Sequence, residues 1–333
     1  MAHSMKDVAE RASVSATTVS HVINKTRYIS PATKKRVLEA IRELRFHKNA
    51  HARRLATGKS DFFGMILSDI ANPFFGELTK SFEAAALERQ FELLLSNTNY
   101  DPRRAETGVR MMIENKVRGV AVMTSEFAPA LAEELRANDV PMVFLDLGTV
   151  GPYVSNIRVE YAQGIYEAIQ HLQDLGHRDI AFVAGPPSLR SAVIRREAFV
   201  NALQRWGLPA DRIVEGDHRI EGGIAAVPEL LSGGNLPTAV LCSNDLTAIG
   251  VINALQGAGV RVPEDVSVIG FDDIHLATVL RPPLTTVNLS RERLGRLAFD
   301  ALRKIVRTKK CNGEEYVVET SLIIRESSAR PRS

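Results

Sequence analysis

From Phe62 onward the chain alternates dense apolar runs with amphipathic stretches of helical period, and this alternation limits the fold more than any other feature. The runs FGMILSDI (63–70), FELLLSNT (91–98), GVAVM (119–123), PMVFLD (141–146), DIAFVAG (179–185), AVLCS (239–243) and VSVIGFDD (266–273) are too apolar to be half exposed. They suit strands covered on both faces. Between them, residues 75–90, 103–115, 128–138, 161–175, 190–206, 222–231, 246–257 and 290–307 repeat apolar side chains at helical spacing. Regular alternation of this kind predicts an α/β body with parallel sheets under helices. The stretch is too long for one open sheet, so it divides into two lobes. The N-lobe is expected over about 61–158 plus about 288–317, and the C-lobe over about 159–287 plus about 318–330.

Composition removes several classes. Hydrophobic content of 45% and charged content of 24% exclude disordered and collagen-like chains. No run approaches the roughly 18 apolar residues of a membrane span, and the N-terminus lacks the apolar segment of an export signal. Two cysteines, Cys242 and Cys311, are too few for a disulfide framework or a Cys-based zinc site, and they read as packing thiols in a reducing compartment. A cytoplasmic location is therefore expected.

The net charge of +3 conceals an asymmetry. Residues 1–60 carry 13 Lys+Arg against 4 Asp+Glu, a net of +9, while the rest carries 29 against 35, a net of −6. A basic head on an acidic body suits a polyanionic partner, because Lys and Arg that neutralise phosphates release condensed counterions. The pattern inside the head decides between that reading and a merely solvated surface. Apolar Val8, Ala9 and Ala12 predict a helix over 5–12, and Ser15 caps a second helix through Val19, Val22 and Ile23 after a turn of only Ser13-Val14. This is helix-turn-helix spacing. Ser30-Pro31, a cap followed by proline, starts a third helix whose stripe of Val37, Leu38, Ile41 and Leu44 closes a small core. The head spans 1–48, and NAHARRLATGKS follows as a basic hinge over 49–60, too short to be a stable helix alone.

In open parallel sheets, ligands bind beyond the carboxyl ends of the strands. Those ends read Asp69 through Phe75, Thr124-Ser125-Glu126, Asp146, Gly185-Pro186, Ser243-Asn244-Asp245 and Asp272-Asp273. Carboxylates, amides and aromatic rings suit a polyhydroxylated ligand. For Asp69, Asp245 and Asp273 a cap or turn role weighs as much as a ligand role. Asn72, Phe74, Arg195 and Asp272 are better read as ligand contacts. Catalytic motifs of the G-x-S-x-G, H-E-x-x-H, Walker A and G-x-G-x-x-G types are missing, no metal-ligand cluster stands out, and Asp272-Asp273, as neighbours on an extended segment, point to opposite faces. No catalytic residue, metal or cofactor is assigned.

MKDVAERASVSATTVSHVINKTRYISPATKKRVLEAIRELRFHKNAHARRLATGKS (5–60) resembles the DNA-binding head and hinge of the lactose-repressor (LacI/GalR) family of bacterial transcription regulators. GHRDIAFVAGP (176–186), PTAVLCSNDLTAIGV (237–251), VPEDVSVIGFDDI (262–274) and RPPLTTVNLSRERLG (281–295) resemble its effector domain, which is similar to ribose-type periplasmic binding proteins. The resemblance runs along essentially the whole chain. It implies an all-α helix-turn-helix head joined to a two-lobed, type I periplasmic-binding-protein-like α/β domain.

By this resemblance Ala16, Thr17 and His21 read operator bases, with Asn24 also at the DNA, while Ser15, Thr18 and Ser20 serve phosphate or capping contacts. His21 stands where the family usually has arginine, and a histidine lacks arginine's two-bond grip on guanine. In the hinge, Leu55 matches the leucine wedged into the minor groove, with Ala52 beside it and Arg53 and Arg54 near phosphates. The implied effector set is Asn72, Phe74, Phe75, Asp146, Arg195, Asn244 and Asp272, with Ser191 and His218 at further cleft positions. Leu147 and Leu289 replace an arginine and a glutamine of the ribose-binding proteins, so the cleft is expected to be more apolar.

The resulting expectation is a cytoplasmic transcriptional regulator, a repressor by resemblance, that binds palindromic operator DNA as a homodimer, with a tetramer left open. Its operator affinity would respond to a small effector, sugars ranking ahead of purines and sugar phosphates. A sugar-binding transport or chemosensory component is the alternative for the body alone, and a sugar-acting α/β enzyme ranks below that.

Overall fold

The computed structural model describes residues 3–24, 26–46, 60–124, 126–232, 236–308 and 312–332, with only the main chain of Asn24. The chain forms two compact units, Met1–Lys59 and Ser60–Ser333.

The first unit holds α1 (Met5–Arg11), α2 (Ala16–Asn24) and α3 (Pro31–Glu43). Each start follows from a side chain that satisfies an otherwise orphaned amide. Ser4 and Asp7 form a reciprocal capping box, Ser15 Oγ accepts from Thr18 N at 3.1 Å, and Ser30 caps α3 ahead of Pro31. Val8, Ala9, Ala12, Val19, Val22, Val37, Ala40 and Phe46 are the buried core. Leu38, expected in the α3 stripe, is 38% exposed. Val37, Ala40, Ile41 and Leu44 follow the i, i+3, i+4, i+7 face, which Leu38 leaves by one step of about 100°.

The second unit contains β1 (Phe62–Leu67), α4 (Pro73–Leu87), β2 (Glu92–Asn97), α5 (Pro102–Glu114), β3 (Val120–Met123), α6 (Pro129–Ala137), β4 (Met142–Leu145), β5 (Val154–Glu160), α7 (Tyr161–Leu175), β6 (Ile180–Val183) and α8 (Arg190–Arg205). It continues through β7 (Ile213–Val214), α9 (Ile220–Leu231), β8 (Ala239–Cys242), α10 (Asp245–Gly257), β9 (Ser267–Asp272), α11 (His275–Val279), β10 (Thr285–Asn288), α12 (Arg291–Arg307), β11 (Glu315–Glu319) and β12 (Ser321–Ile323). One sheet runs β11-β5-β4-β3-β1-β2 and the other β12-β10-β9-β8-β6-β7. All pairings are parallel except β10 with β12.

All seven apolar runs form strands, six inside the two sheets and one, β2, at the edge of the first. The structure adds β5, β7, β10, β11 and β12, which lack a continuous apolar run. In β5, for example, Ser155 and Asn156 are buried polar residues. The chain passes between lobes after β5, after β10 and between β11 and β12. Buried Thr320 ties two of these crossings: its Oγ1 donates to Glu160 O at 2.7 Å and accepts from Gly164 N at 3.0 Å. Helix α12 returns to the N-lobe and packs on α4, where Phe299 meets Phe63 and Phe82 edge-on, ring centroids 5.3 and 5.6 Å apart. No helix among the described residues is long and apolar enough to cross a membrane.

Candidate functional site

In the head, Ser15, Ala16 and Thr17 are exposed at the start of α2, and Thr18, Ser20 and His21 are partly buried along it. Ser15 is committed to the cap through Thr18. His21 Nδ1 lies 2.8 Å from Thr26 Oγ1, which fixes the imidazole plane and leaves Nε2 as its other hydrogen-bonding atom. The side chain of Asn24, and all of Ala52, Arg53, Arg54 and Leu55, lie outside the described residues.

In the body, one cavity between the lobes is lined by Asn72, Phe74, Phe75, Asp146, Ser191, Arg195, His218, Asn244 and Asp272, together with Ser68, Met123, Thr124, Leu145, Tyr161, Leu189 and Leu289. All nine expected cleft residues therefore share one space. Its empty space, counted together with the open mouth, is about 620 Å³.

Asn72, Asn244 and Asp146 are each held at the end of an element. Asn72 caps α4, its Oδ1 accepting from Phe74 N at 3.0 Å, and its Nδ2 has no partner among the described residues. Asn244 caps α10 by accepting from Thr247 N at 2.9 Å and donates to His218 O at 3.0 Å, so both ends of its amide are engaged. Asp146, beyond β4, accepts from Val159 N at 2.8 Å and from Tyr161 Oη at 2.7 Å. Burial pushes its carboxyl up, opposed by these two hydrogen bonds.

The C-lobe side is organised around Arg195, which is 6% exposed. Its Nη1 donates to Ser243 O at 2.5 Å and its Nη2 to Asp272 Oδ1 at 3.2 Å. The guanidinium lies 4.0 Å from the Phe271 ring centroid and 5.0 Å from that of Tyr161. Its Nε is buried without a partner. Burial pushes Asp272 up to about 6, against the opposing pull of Arg195 and Arg291. His218 lies 2.6 Å from Ser243 Oγ, and burial, with Arg195 nearby, pushes it down to about 3, so it is a neutral imidazole. Only glycine fits at Gly185 beside it, since a Cβ there would meet His218 Nε2 at 1.9 Å.

The three evenly weighed aspartates lie outside the cavity lining. Asp69 accepts from Ala71 N at 2.9 Å, Asp245 is fully buried between Ile274 N and Thr286 Oγ1, and Asp273 pairs with Arg325 at 2.6 Å. Leu147 is a correction to the apolar-cleft expectation: it packs against the core on the other side of β4 and does not line the cavity. Asp146 has φ +61°, and the turn there sends the next side chain away. Leu289 does line the cavity and is 1% exposed. Tyr161 was missed because β5 was not recognised, and the residue just beyond that strand carried no signal of its own.

A family model described as bacterial regulatory proteins, lacI family, matches residues 4–49, and one described as a periplasmic binding protein-like domain matches residues 169–328. The HTH-type transcriptional repressor PurR of Histophilus somni is 37% identical over 326 residues, 97% of this chain and 98% of that protein. PurR of Glaesserella parasuis is 40% identical over 300 residues, 90% of this chain and 88% of that protein. Among solved structures, the lac repressor dimer bound to operator and the anti-inducer ONPF matches with a TM-score of 0.86 at 28% identity, covering 99% of this chain and 100% of that one. The regulator CelR in complex with cellobiose matches at 0.73 and 30% identity, over 98% and 99% of the two chains. A regulator from Enterococcus faecium with bound ribose matches at 0.73 and 28% identity, over 81% and 100%. All of these are transcriptional repressors or regulators. With the match extending over nearly the whole length, the chain belongs to the lacI family of bacterial regulatory proteins.

Proposed function

We propose that this transcription regulator, working in the cytoplasm as a homodimer on a palindromic operator, is controlled by a neutral, hydroxyl-rich effector, a sugar, bound between its lobes. The observation that carries this reading is the Arg195–Asp272 pair facing Asn72 and Asp146 across one cavity. Two carboxylates and one guanidinium give the lining a net negative charge, which disfavours phosphorylated ligands. Carboxylates accept from hydroxyls, the Asn72 amide donates, and Phe74, Phe75, Leu145 and Leu289 offer the apolar walls that C–H faces need. Two structurally similar regulators hold cellobiose and ribose.

A thermal-shift screen over pentoses, hexoses, disaccharides, polyols, sugar phosphates and nucleobases tests the class, since a ligand that binds only the native state raises its stability. Neutral sugars should stabilise the wild type, and Asp272→Ala should abolish that shift while duplex binding persists. Stabilisation by sugar phosphates or nucleobases alone would overturn the sugar assignment. The pH dependence is signed. Asp272 is ionised above about 6 and protonated below it. A protonated carboxyl accepts hydroxyls poorly, so effector affinity should hold from pH 8 to 7 and fall about tenfold by pH 5. Titration calorimetry at these pH values checks this, and a flat profile would remove Asp272 from the contact set.

On DNA, one short recognition helix reads few base pairs, and a two-fold pair doubles the contacts. The proposed readers are Ala16, Thr17, His21 and Asn24, with Ser15, Thr18 and Ser20 at the backbone. Ala52, Arg53, Arg54 and Leu55 form the proposed minor-groove hinge. Kinking DNA with an apolar wedge costs about a few kcal/mol per step, offset by the contacts the bend permits, and those contacts are lost without the wedge. Leu55→Ala should therefore weaken binding to a palindromic duplex selected with the wild-type protein by about tenfold or more. Effector affinity without DNA should stay unchanged. Equal duplex affinity in a gel-shift titration would count against the wedge.

A further inference from the structure

The structure assigns to Glu77 and Arg291, neither of which lines the cavity, the role of positioning residues that hold Asp272 in place and tie it to the opposite lobe. The inference rests on the reading of Asp272 as an effector contact. Asp272 ends β9 in the C-lobe with φ +107°, and Asp273 follows with φ +53°. Two successive non-glycine residues in sparsely populated conformations are strained, so the turn persists only where its surroundings hold it. Its own lobe supplies part of the hold. Ile274 N donates to Asp245 at 2.8 Å, and Asp273 accepts from Asn288 at 2.7 Å and from Arg325 at 2.6 Å.

The rest comes from the N-lobe. Arg291, the first residue of α12, donates through Nη1 to the carbonyl of Asp272 and through Nε to Glu77 Oε2 at 2.8 Å. Glu77, on α4, accepts through its other oxygen from His275 N at 3.1 Å. One carboxylate thus holds both the arginine that grips the turn and the amide at its far end. The seat of Arg291 is itself fixed by close helix packing, since a Cβ at Gly295 would meet Leu78 O at 2.4 Å. Asp272 therefore points its carboxylate at Arg195 inside the cavity and its carbonyl at Arg291 outside it. Both groups hang from one Cα, so movement of α4 and α12 against the C-lobe must reorient the carboxylate offered to the ligand.

Residue-resolved hydrogen exchange on the full-length, ligand-free protein gives the first readout. Glu77→Ala and Arg291→Ala should each speed exchange of the His275 amide at least about tenfold. Glu77→Gln, which keeps an acceptor for that amide and is nearly isosteric, should speed it less. The second readout is the titration midpoint of Asp272, followed by carbon-13 NMR of labelled aspartate carboxyls and assigned with Asp272→Asn. The groups around this carboxyl are Arg195 from α8, Arg291 from α12, Asp245 from α10, Tyr161 from α7 and Tyr100 after β2. Removing the positive charge in Arg291→Ala should raise the midpoint. Removing the negative charge in Glu77→Gln, which leaves Arg291 unneutralised, should lower it. Loss of structure alone would not move the two in opposite directions.

Glu88→Ala is the control, because Glu88–Arg296 joins the same two helices at 2.8 Å away from the turn. It should change neither readout. An unchanged His275 amide in Glu77→Ala, Asp272 midpoints that stay put or shift the same way in Glu77→Gln and Arg291→Ala, or an equal effect of Glu88→Ala would overturn the assignment. None of these measurements uses an effector or DNA, so a failed sugar screen leaves them intact.

Discussion

Arg195→Ala should lower the stability of the full-length protein by roughly 3–5 kcal/mol at pH 8, the range for breaking a buried ion pair by removing one partner. Arg195 and Asp272 have side chains only 7% and 6% exposed, so solvent cannot replace the lost guanidinium. The substitution leaves the Asp272 carboxylate and the Ser243 carbonyl without their donors. It also removes the cation that lies over the Phe271 and Tyr161 rings. The penalty should be smaller at pH 5. Asp272 already sits up at about 6 with Arg195 opposing the rise, so without Arg195 it moves higher. The unfolded carboxyl titrates near 3.9. A group whose folded pKa is raised contributes no destabilisation below the unfolded value, accumulates it as pH rises through the folded value, and carries it in full above. At pH 5 Asp272 is largely protonated in both proteins, and the charge part of the difference fades. Denaturant midpoints at pH 5 and 8 measure this, and Arg195→Ala/Asp272→Ala should recover part of the loss at pH 8. A penalty equal at both pH values would show that the pair is not coupled through charge.

Phe299→Ala is the second large effect, a loss of roughly 3–5 kcal/mol, as found for buried phenylalanines truncated to alanine. Phe299 is 1% exposed, and its ring lies edge-on to Phe63 and Phe82 and tilted against Phe91 at 6.4 Å. It joins α12, α4 and β1, so collapse around the cavity would require two helices to move. Because α12 also places Arg291, the variant should speed His275 exchange as well. Leu87→Ala on α4, 57% exposed, is the comparison and should cost less than about 0.5 kcal/mol in the same urea titration. A loss below 1 kcal/mol for Phe299→Ala would mean that α12 does not depend on this cluster.

What was legible in the chain followed burial. Buried strands that are apolar throughout stood out as runs such as GVAVM and AVLCS, whereas the inner strands β5 and β10 bury polar Ser155, Asn156, Thr285 and Thr286 and did not. The edge strands β11 and β12 expose part of their side chains, with Val317 40% exposed, and β7 is only two residues long. Periodicity does not reach such segments. Asn72, Phe74, Phe75, Asp146, Asn244 and Asp272 were legible because strand ends and a family resemblance pointed to the same residues, while Ser191 and His218 rested on the resemblance alone and Arg195 stands on a helix. Tyr161, Leu189 and Met123 were not legible, because each looks like ordinary core until the lobes are put together. Leu147 and Leu38 failed for one reason: a single residue of displacement along a turn or helix sends a side chain to another face.

The order of residues by itself determined the basic helix-turn-helix head, the alternating body and the placement of polar groups at strand ends, because these depend on local spacing, capping and the demand that apolar runs be buried. Only the tertiary structure decided that the aspartates left open hold the frame, and what holds Asp272 at the cavity. The sequence favours Asp272 as a ligand contact but leaves Asp245 and Asp273 open between a cap and a ligand role. In the folded chain Asp272 meets Arg195 in the cavity, while Asp245 and Asp273 are consumed by Thr286, Ile274, Asn288 and Arg325. The difference is one of direction, set by two residues of positive φ and by helices brought in from more than two hundred positions away along the chain in the case of Glu77 and Arg291.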